Sequence, residues 1–280
     1  MLAWSPIPTQ IDNVGVFLAL GSLSAMIFSM AKAGFGGSSG MLAVPLMIFA
    51  CGGNVLLATG ILLPVLIAAD YVAVISWLGK WDWRAVRMLL PGTVMGILIG
   101  WAMIHLLGRL DTSAGKDLAN AWLKIGVGLI ALAFVALQAA RAAGGRAIEL
   151  RPVLWQASLA GTTAGLTSTL AHAAGPVVTM YLLPQKLPKG RYVATNALFF
   201  WLANQLKLAP YFAEGMIRLD TLGAAVVLLP GIVVGAAVGV LLHKKVDQKQ
   251  FIGVVHVLLA FAGIWLCYRG GLAVLRQTAG

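Results

Sequence analysis

The sequence predicts an all-α integral membrane protein of two related halves, the second inverted relative to the first. About eight transmembrane helices are expected, with broken or re-entrant helices at 34–40 and 172–176. Three observations predict this class. Only 10% of the 280 residues are charged and 60% are hydrophobic, against roughly 25% charged in soluble domains. Eight low-charge apolar runs follow one another along the chain, each near or above the ~20 residues that span a bilayer. The second half also echoes the first at a nearly constant offset. Strand-like alternation is missing, which argues against a membrane barrel.

The first run, 14–33, is long for a re-entrant half-helix and is expected to cross at a steep tilt. It leads into "KAGFGGSSG" (32–40), where a lysine and four glycines interrupt the apolar pattern. Irregular backbone at membrane depth survives only against protein or a water-filled cavity, so this stretch reads as a deliberate helix break. The following run, 41–50, is too short to span, whereas 54–78, 88–107 and 119–140 are long enough. A polar linker, "RAAGGRAIELR" (141–151), is expected on the cytoplasmic side and separates repeat 1–140 from repeat 152–280. The second half then runs through 152–171, a break at "HAAGP" (172–176), the short run 177–183, and the long runs 192–213, 221–242 and 251–268.

The repeat rests on four ordered matches. "LLPGTVMGILIG" (89–100) aligns with "LLPGIVVGAAVG" (228–239) at offset 139. The same offset lays Gly36 on Gly175, Met41 on Met180 and Pro45 on Pro184. If each half crosses three times, with its break forming a re-entrant pair, twelve basic residues fall on one face and seven on the other. That agrees with the positive-inside rule and places both termini outside. Inverted repeats with discontinuous helices are a design of secondary transporters.

Net charge is +11. In so apolar a chain it reads as loop topology and headgroup contact, with attraction of an anionic solute as a further use, and not as nucleic-acid binding. Two cysteines, Cys51 and Cys267, give no disulfide framework or metal site, and no cofactor is expected. The first residues lack a basic segment, so no cleaved signal peptide is expected.

Helix N-termini at the two breaks would offer free N–H groups and positive dipole ends to an oxyanion. Gly34, Gly36 and Gly37 expose backbone there. Ser38 and Ser39 start the half-helix 41–50, and Gly175 with Pro176 opens its counterpart. Lys32 could neutralise a bound anion. His172 could donate to one or carry a proton. Asp70 and Lys207 occupy nearly equivalent repeat positions, offset 137, and as a pair could form a gate or a proton-linked switch. Ser168, Thr169, Asn196, Asn204 and Gln205 are candidate pore-lining donors, while "LPGxxxGxxxG" reads as close helix packing. Trp77, Trp81, Trp83, Trp155 and Trp265 read as interfacial anchors.

At these residues the sequence resembles the TauE/SafE family of sulfite-exporter-like permeases. The resemblance is carried by "KAGFGGSSGMLAVP" in the first half. In the second it is carried by "TSTLAHAAGPVVTMYLLPQKLPKGR" (167–191) with "NQLK" (204–207). It implies two related four-helix units and export of sulfur-containing anions such as sulfite or organosulfonates, sulfoacetate among them. By position it assigns Lys32, Gly34, Gly36, Gly37, Ser168, Thr169, His172, Gly175 and Pro176 to the substrate region. Here "GGSSG" stands where the family pattern has a longer glycine run. The expected setting is multi-pass in a bacterial inner (plasma) membrane, with a small anion and the lipid bilayer as partners and a homodimer left open. An enzyme is not expected. The rival is an intramembrane serine hydrolase using Ser38 and His172, since "GGSSG" also fits G-x-S-x-G. That string is matched cheaply, and its equivalent in the second half is Val177. A carboxylate transporter is the other alternative.

Overall fold

Polar segments separate the apolar runs, and each run becomes a helix. The computed structural model describes residues 7–34, 38–109, 113–144, 153–243 and 248–278, and the regular elements among them are all helical. In the first half these are α1 (Val14–Gly34), a 3-10 turn (Ser38–Leu42), α2 (Ala43–Ala50), α3 (Val55–Ser76), α4 (Trp83–Gly108) and α5 (Ser113–Ala142). The second half contributes α6 (Leu154–Ala171), α7 (Gly175–Leu182), a 3-10 turn (Leu183–Gln185), α8 (Lys189–Ala213), α9 (Leu219–His243) and α10 (Gln248–Thr278).

Six of these helices are long and apolar enough to cross a membrane: α1, α3, α4, α5, α9 and α10. The expected eight also included α6 and α8. These two have the length, but their composition is more polar, with Ser, Thr, Asn, Gln and Lys side chains along them. A polar helix in a membrane must turn those groups toward protein or water. The eight residues of α2 and of α7 span only about 12 Å at 1.5 Å per residue, far short of a crossing. The 21-residue α1 is long enough to cross by itself, so the first broken segment joins a full-length helix to a short one.

Turn chemistry fixes where the helices begin. Asn54 Oδ1 accepts the Leu57 N–H at 3.0 Å at the start of α3, and Asp82 Oδ1 accepts the Ala85 N–H at 3.0 Å at the start of α4. Each satisfies a donor that the first helical turn leaves free. Asn120 of α5 clamps the same corner, donating to the Gly53 carbonyl at 3.1 Å and accepting the Val55 N–H at 2.9 Å. Asn54→Ala is expected to lower stability by about 1 kcal/mol, read as a lowered unfolding temperature in detergent.

The two "LPGxxxGxxxG" segments act as packing ridges, and reciprocally. In the first half, α4 lies along α6. A Cβ on Gly92 would stand 2.1 Å from the Ser158 carbonyl oxygen, and one on Gly96 2.0 Å from that of Thr162. In the second, α9 lies along α1. A Cβ on Gly235 would stand 2.3 Å from the Met26 carbonyl oxygen, and one on Gly239 2.7 Å from that of Met30. Each half thus grips the first helix of the other through small residues, as membrane helices do where hydrophobicity cannot drive association. α5 pairs with α10, and α3 with α8. The largest buried cluster joins Phe17, Met47, Ile61 and Val65 of the first half to Ala171, Ala173, Leu228 and Leu259 of the second.

Candidate functional site

Both helix breaks fall where the halves meet. α1 ends at Gly34 and the next turn starts at Ser38; Gly36 and Gly37 lie outside the described residues, as do the side chains of Ser38 and Ser39. The second break is described throughout. α6 stops at Ala171, and His172 adopts a left-handed conformation (φ 47°) that non-glycine residues rarely occupy. Its N–H reaches the Ser168 carbonyl at 3.0 Å, and that of Ala173 reaches the Thr167 carbonyl at 3.2 Å. Gly175 begins α7 and Pro176 occupies its first turn, where its missing N–H costs nothing. α7 packs against the 3-10 turn of the first half, bringing the two breaks together.

Charged side chains from α3 and α8 hold these ends. Asp70, in α3, is fully buried and is the one buried carboxylate among the described residues. Its Oδ1 pairs with the Lys32 ammonium from the last turn of α1, and its Oδ2 accepts from Asn204 Nδ2 at 2.5 Å. The Lys32 ammonium also lies 4.9 Å from the Phe28 ring centroid and 5.6 Å from that of Phe200, within cation–π range.

Lys207, in α8, is likewise 0% exposed. Its Nζ donates to Ser168 Oγ at 2.9 Å, to the Ser168 carbonyl at 3.3 Å and to His172 Nδ1 at 2.9 Å. Three acceptors match the three N–H donors of an ammonium. On the far side of the imidazole, His172 Nε2 lies 3.1 Å from the Thr59 carbonyl oxygen. A carbonyl only accepts, so Nε2 carries the hydrogen and Nδ1 offers its lone pair to Lys207; the ring is neutral. Tyr211, one turn beyond Lys207, donates its hydroxyl to the Thr169 carbonyl at 2.7 Å. Two last-turn carbonyls of α6 thereby gain donors from α8: that of Ser168, which also accepts the His172 N–H, and that of Thr169.

The anticipated pair of Asp70 with Lys207 is replaced by two separate contacts. Asp70 pairs with Lys32, and Lys207 makes no ion pair among the described residues. The reason is local: each charged residue reaches the end of the broken helix in its own half. Ser168 and His172 meet at Lys207. The Thr169 hydroxyl instead donates back to the Gly165 carbonyl at 2.8 Å. Asn196 stands eleven residues before Lys207, about 16 Å along the helix, and its buried Oδ1 has no hydrogen-bond partner among the described residues. The buried Nε1 of Trp201 and Nε2 of Gln205 share that condition.

Sequence reasoning missed Thr59, Tyr211 and Trp201. Tyr211 could have been found, since it follows Lys207 at i+4 on one helix face. Thr59 contributes only a backbone carbonyl, which no side-chain pattern reveals. The cluster is closed: Asp70 and Lys207 are 0% exposed and His172 is 8% exposed. An apolar cleft of about 390 Å³ between α4 and α5, lined by Met103, Leu106, Trp122 and Leu170 among others, contains none of these charged groups.

A family model described as sulfite exporter TauE/SafE matches residues 18–266. No curated protein and no solved structure matches the chain. The matched stretch includes both breaks and the whole of α2 to α9. The chain therefore belongs to the sulfite exporter TauE/SafE family.

Proposed function

We propose that the protein is a secondary transporter that exports a small sulfur-containing anion, sulfite or an organosulfonate such as sulfoacetate, across a bacterial inner membrane. The substrate binds where the two broken helices meet. The observation that carries this reading is Lys207: a fully buried lysine, hydrogen-bonded but with no carboxylate partner among the described residues. Charging its amine in low dielectric is costly unless a counter-ion joins it, so an anion is the partner such a group can bind. Ser168 and Lys32 stand around the same breaks and supply a hydroxyl and further charge, with the engaged His172 and the backbone of Gly34, Gly175 and Pro176 beside them; Gly36 and Gly37, between Gly34 and Ser38 in the chain, are assigned to the same site.

Reciprocal packing of α4 on α6 and of α9 on α1 supports an inverted pair of repeats that rock against each other, exposing the site to one side and then the other. An inside-negative potential favours outward movement of an anion. Asp70, Lys207 and His172 link the moving ends to α3 and α8 and are the groups through which gating or proton coupling acts. The hydrolase reading is disfavoured by His172, whose two ring nitrogens are engaged by Lys207 and the Thr59 carbonyl. Neither is free to take a proton from a serine.

Calorimetry of the purified protein with sulfite, sulfate, thiosulfate, sulfoacetate, acetate and phosphate tests the reading. One sulfur oxyanion should bind, and Lys207→Met should weaken it at least about tenfold, the scale of a hydrogen bond to a charged group. Unchanged binding in a folded Lys207→Met protein, or no binding of any anion to the wild type, would return Lys207 to a purely structural role at the end of α6.

A further inference from the structure

We infer that Trp201 and Gln205 form a second donor pair for the transported oxyanion, on the flank of α8 beside the one that meets the two breaks. This rests on the anion-site reading above and deepens it by assigning uncharged groups to the substrate. Among the described residues, the buried side-chain polar atoms without a hydrogen-bond partner are Asn196 Oδ1, Trp201 Nε1 and Gln205 Nε2, and all three belong to α8. The last two are N–H donors one helical turn apart, and side chains at i and i+4 stand on one face. Helical side chains lean toward the N-terminus, so Gln205 lies over the turn that carries Trp201. Neither satisfies the other.

Packing does not call for these donors. The Trp201 indole stands edge-on to Tyr71 of α3, with ring centroids 5.6 Å apart and planes at 79°. A phenylalanine would make that contact without an unpaired N–H, and a methionine would fill the space of Gln205 without an amide. An unpaired buried donor weakens a fold, whereas an arriving anion satisfies it. Trp offers one N–H and Gln two, which suits a centre bearing several acceptor oxygens, as sulfite and sulfonates do.

The residue before each donor ties it to the first break. The Phe200 ring lies 5.6 Å from the Lys32 ammonium, and Asn204 donates to Asp70, the partner of Lys32. At about 100° per residue, Trp201 and Gln205 stand on the adjoining flank of α8. Lys207, two residues beyond Gln205, reaches the second break through Ser168 and His172. On α3 the order matches: Asp70 meets Asn204, and its neighbour Tyr71 meets Trp201. The α3–α8 seam therefore carries a line of charged contacts with a line of neutral donors beside it. An oxyanion held at this level takes the neutral donors while the charged line keeps the helices together.

Calorimetry of sulfite and sulfoacetate with the full chain in nanodiscs tests this. Trp201→Phe keeps a ring against Tyr71, and Gln205→Met keeps the length of the side chain. Neither removed donor has a partner within the described residues, so both variants are expected to fold, checked by their unfolding midpoints. Each should bind the anion about tenfold or more weakly than wild type, the scale of one hydrogen bond to a charged group. With isotope-labelled indole nitrogens, the magnetic-resonance signal that Trp201→Phe removes should shift when the anion is added to wild type. Wild-type affinity in either folded variant, or an indole signal that the anion does not move, overturns the inference. The anion site then stands if Lys207→Met still weakens binding. Absence of binding of both anions to wild type removes site and inference together. Gln205→Met decides by itself should Trp201→Phe fail to fold.

Discussion

Asp70→Ala is expected to destabilise the folded protein by about 3–5 kcal/mol, the scale for leaving one member of a buried ion pair without its partner. The carboxylate accepts from Lys32 on one oxygen and from Asn204 on the other, so its loss orphans a cation and an amide at once. Lys32, with its side chain 17% exposed, recovers only part of the lost solvation. Thermal unfolding in detergent should show a clear drop in midpoint, and transport should fall with it as the end of α1 comes loose from α3. The double change Lys32→Met with Asp70→Leu should lose much less than the two single changes added together, because no charge is then left behind. Strict additivity in that cycle would show that the pair contributes nothing through its contact.

Much of this arrangement was legible before any coordinates. Charge deficit and run length marked the helices, since a bilayer allows so few ways to satisfy a backbone. The glycines of 34–40 and the "HAAGP" segment marked the breaks, and an isolated Asp and Lys within long apolar runs marked Asp70 and Lys207 as exceptional. What the sequence withheld was pairing. Two opposite charges 137 residues apart, close to the 139-residue offset of the sequence matches, look like partners, yet each points along its own half to the helix end beside it. That choice depends on how α3 and α8 cross, a property of side chains far apart in sequence. The Thr59 carbonyl escaped for a different reason: a second acceptor bond to backbone within a helix leaves no trace in residue type. The polarity of α6 and α8, which sets them apart from the six apolar spans, became meaningful only once both helices were seen to surround the charged cluster.

The exchange of sign between the halves has a physical logic. An identical residue at both positions would give two cations or two carboxylates around the breaks, and like charges in a low dielectric repel strongly. With Asp in one half and Lys in the other, one broken end is held by an ion pair and the other by a buried lysine hydrogen-bonded to Ser168 and His172.

Gly96→Ala is expected to break the α4–α6 seam although it adds a single methyl group. The new Cβ would lie 2.0 Å from the Thr162 carbonyl oxygen and 2.7 Å from the Leu166 nitrogen. Both are backbone atoms of a helix and cannot rotate away as a side chain would. The helices must separate, at a cost of about 1–3 kcal/mol or more for overpacking. That exceeds the roughly 0.5–1 kcal/mol by which alanine favours a helix over glycine. Gly126 on α5 is the control: a Cβ there meets nothing within 4 Å, so Gly126→Ala should keep the propensity gain and leave stability level or raised. The seam also positions the site, because α6 carries Ser168 and ends at His172. Gly96→Ala should therefore lower both the unfolding midpoint and anion binding, while Gly126→Ala changes neither adversely. Equal tolerance at the two glycines would mean that α4 and α6 are held apart by more than their backbones, and that the glycine ridge does not set the position of the broken helix.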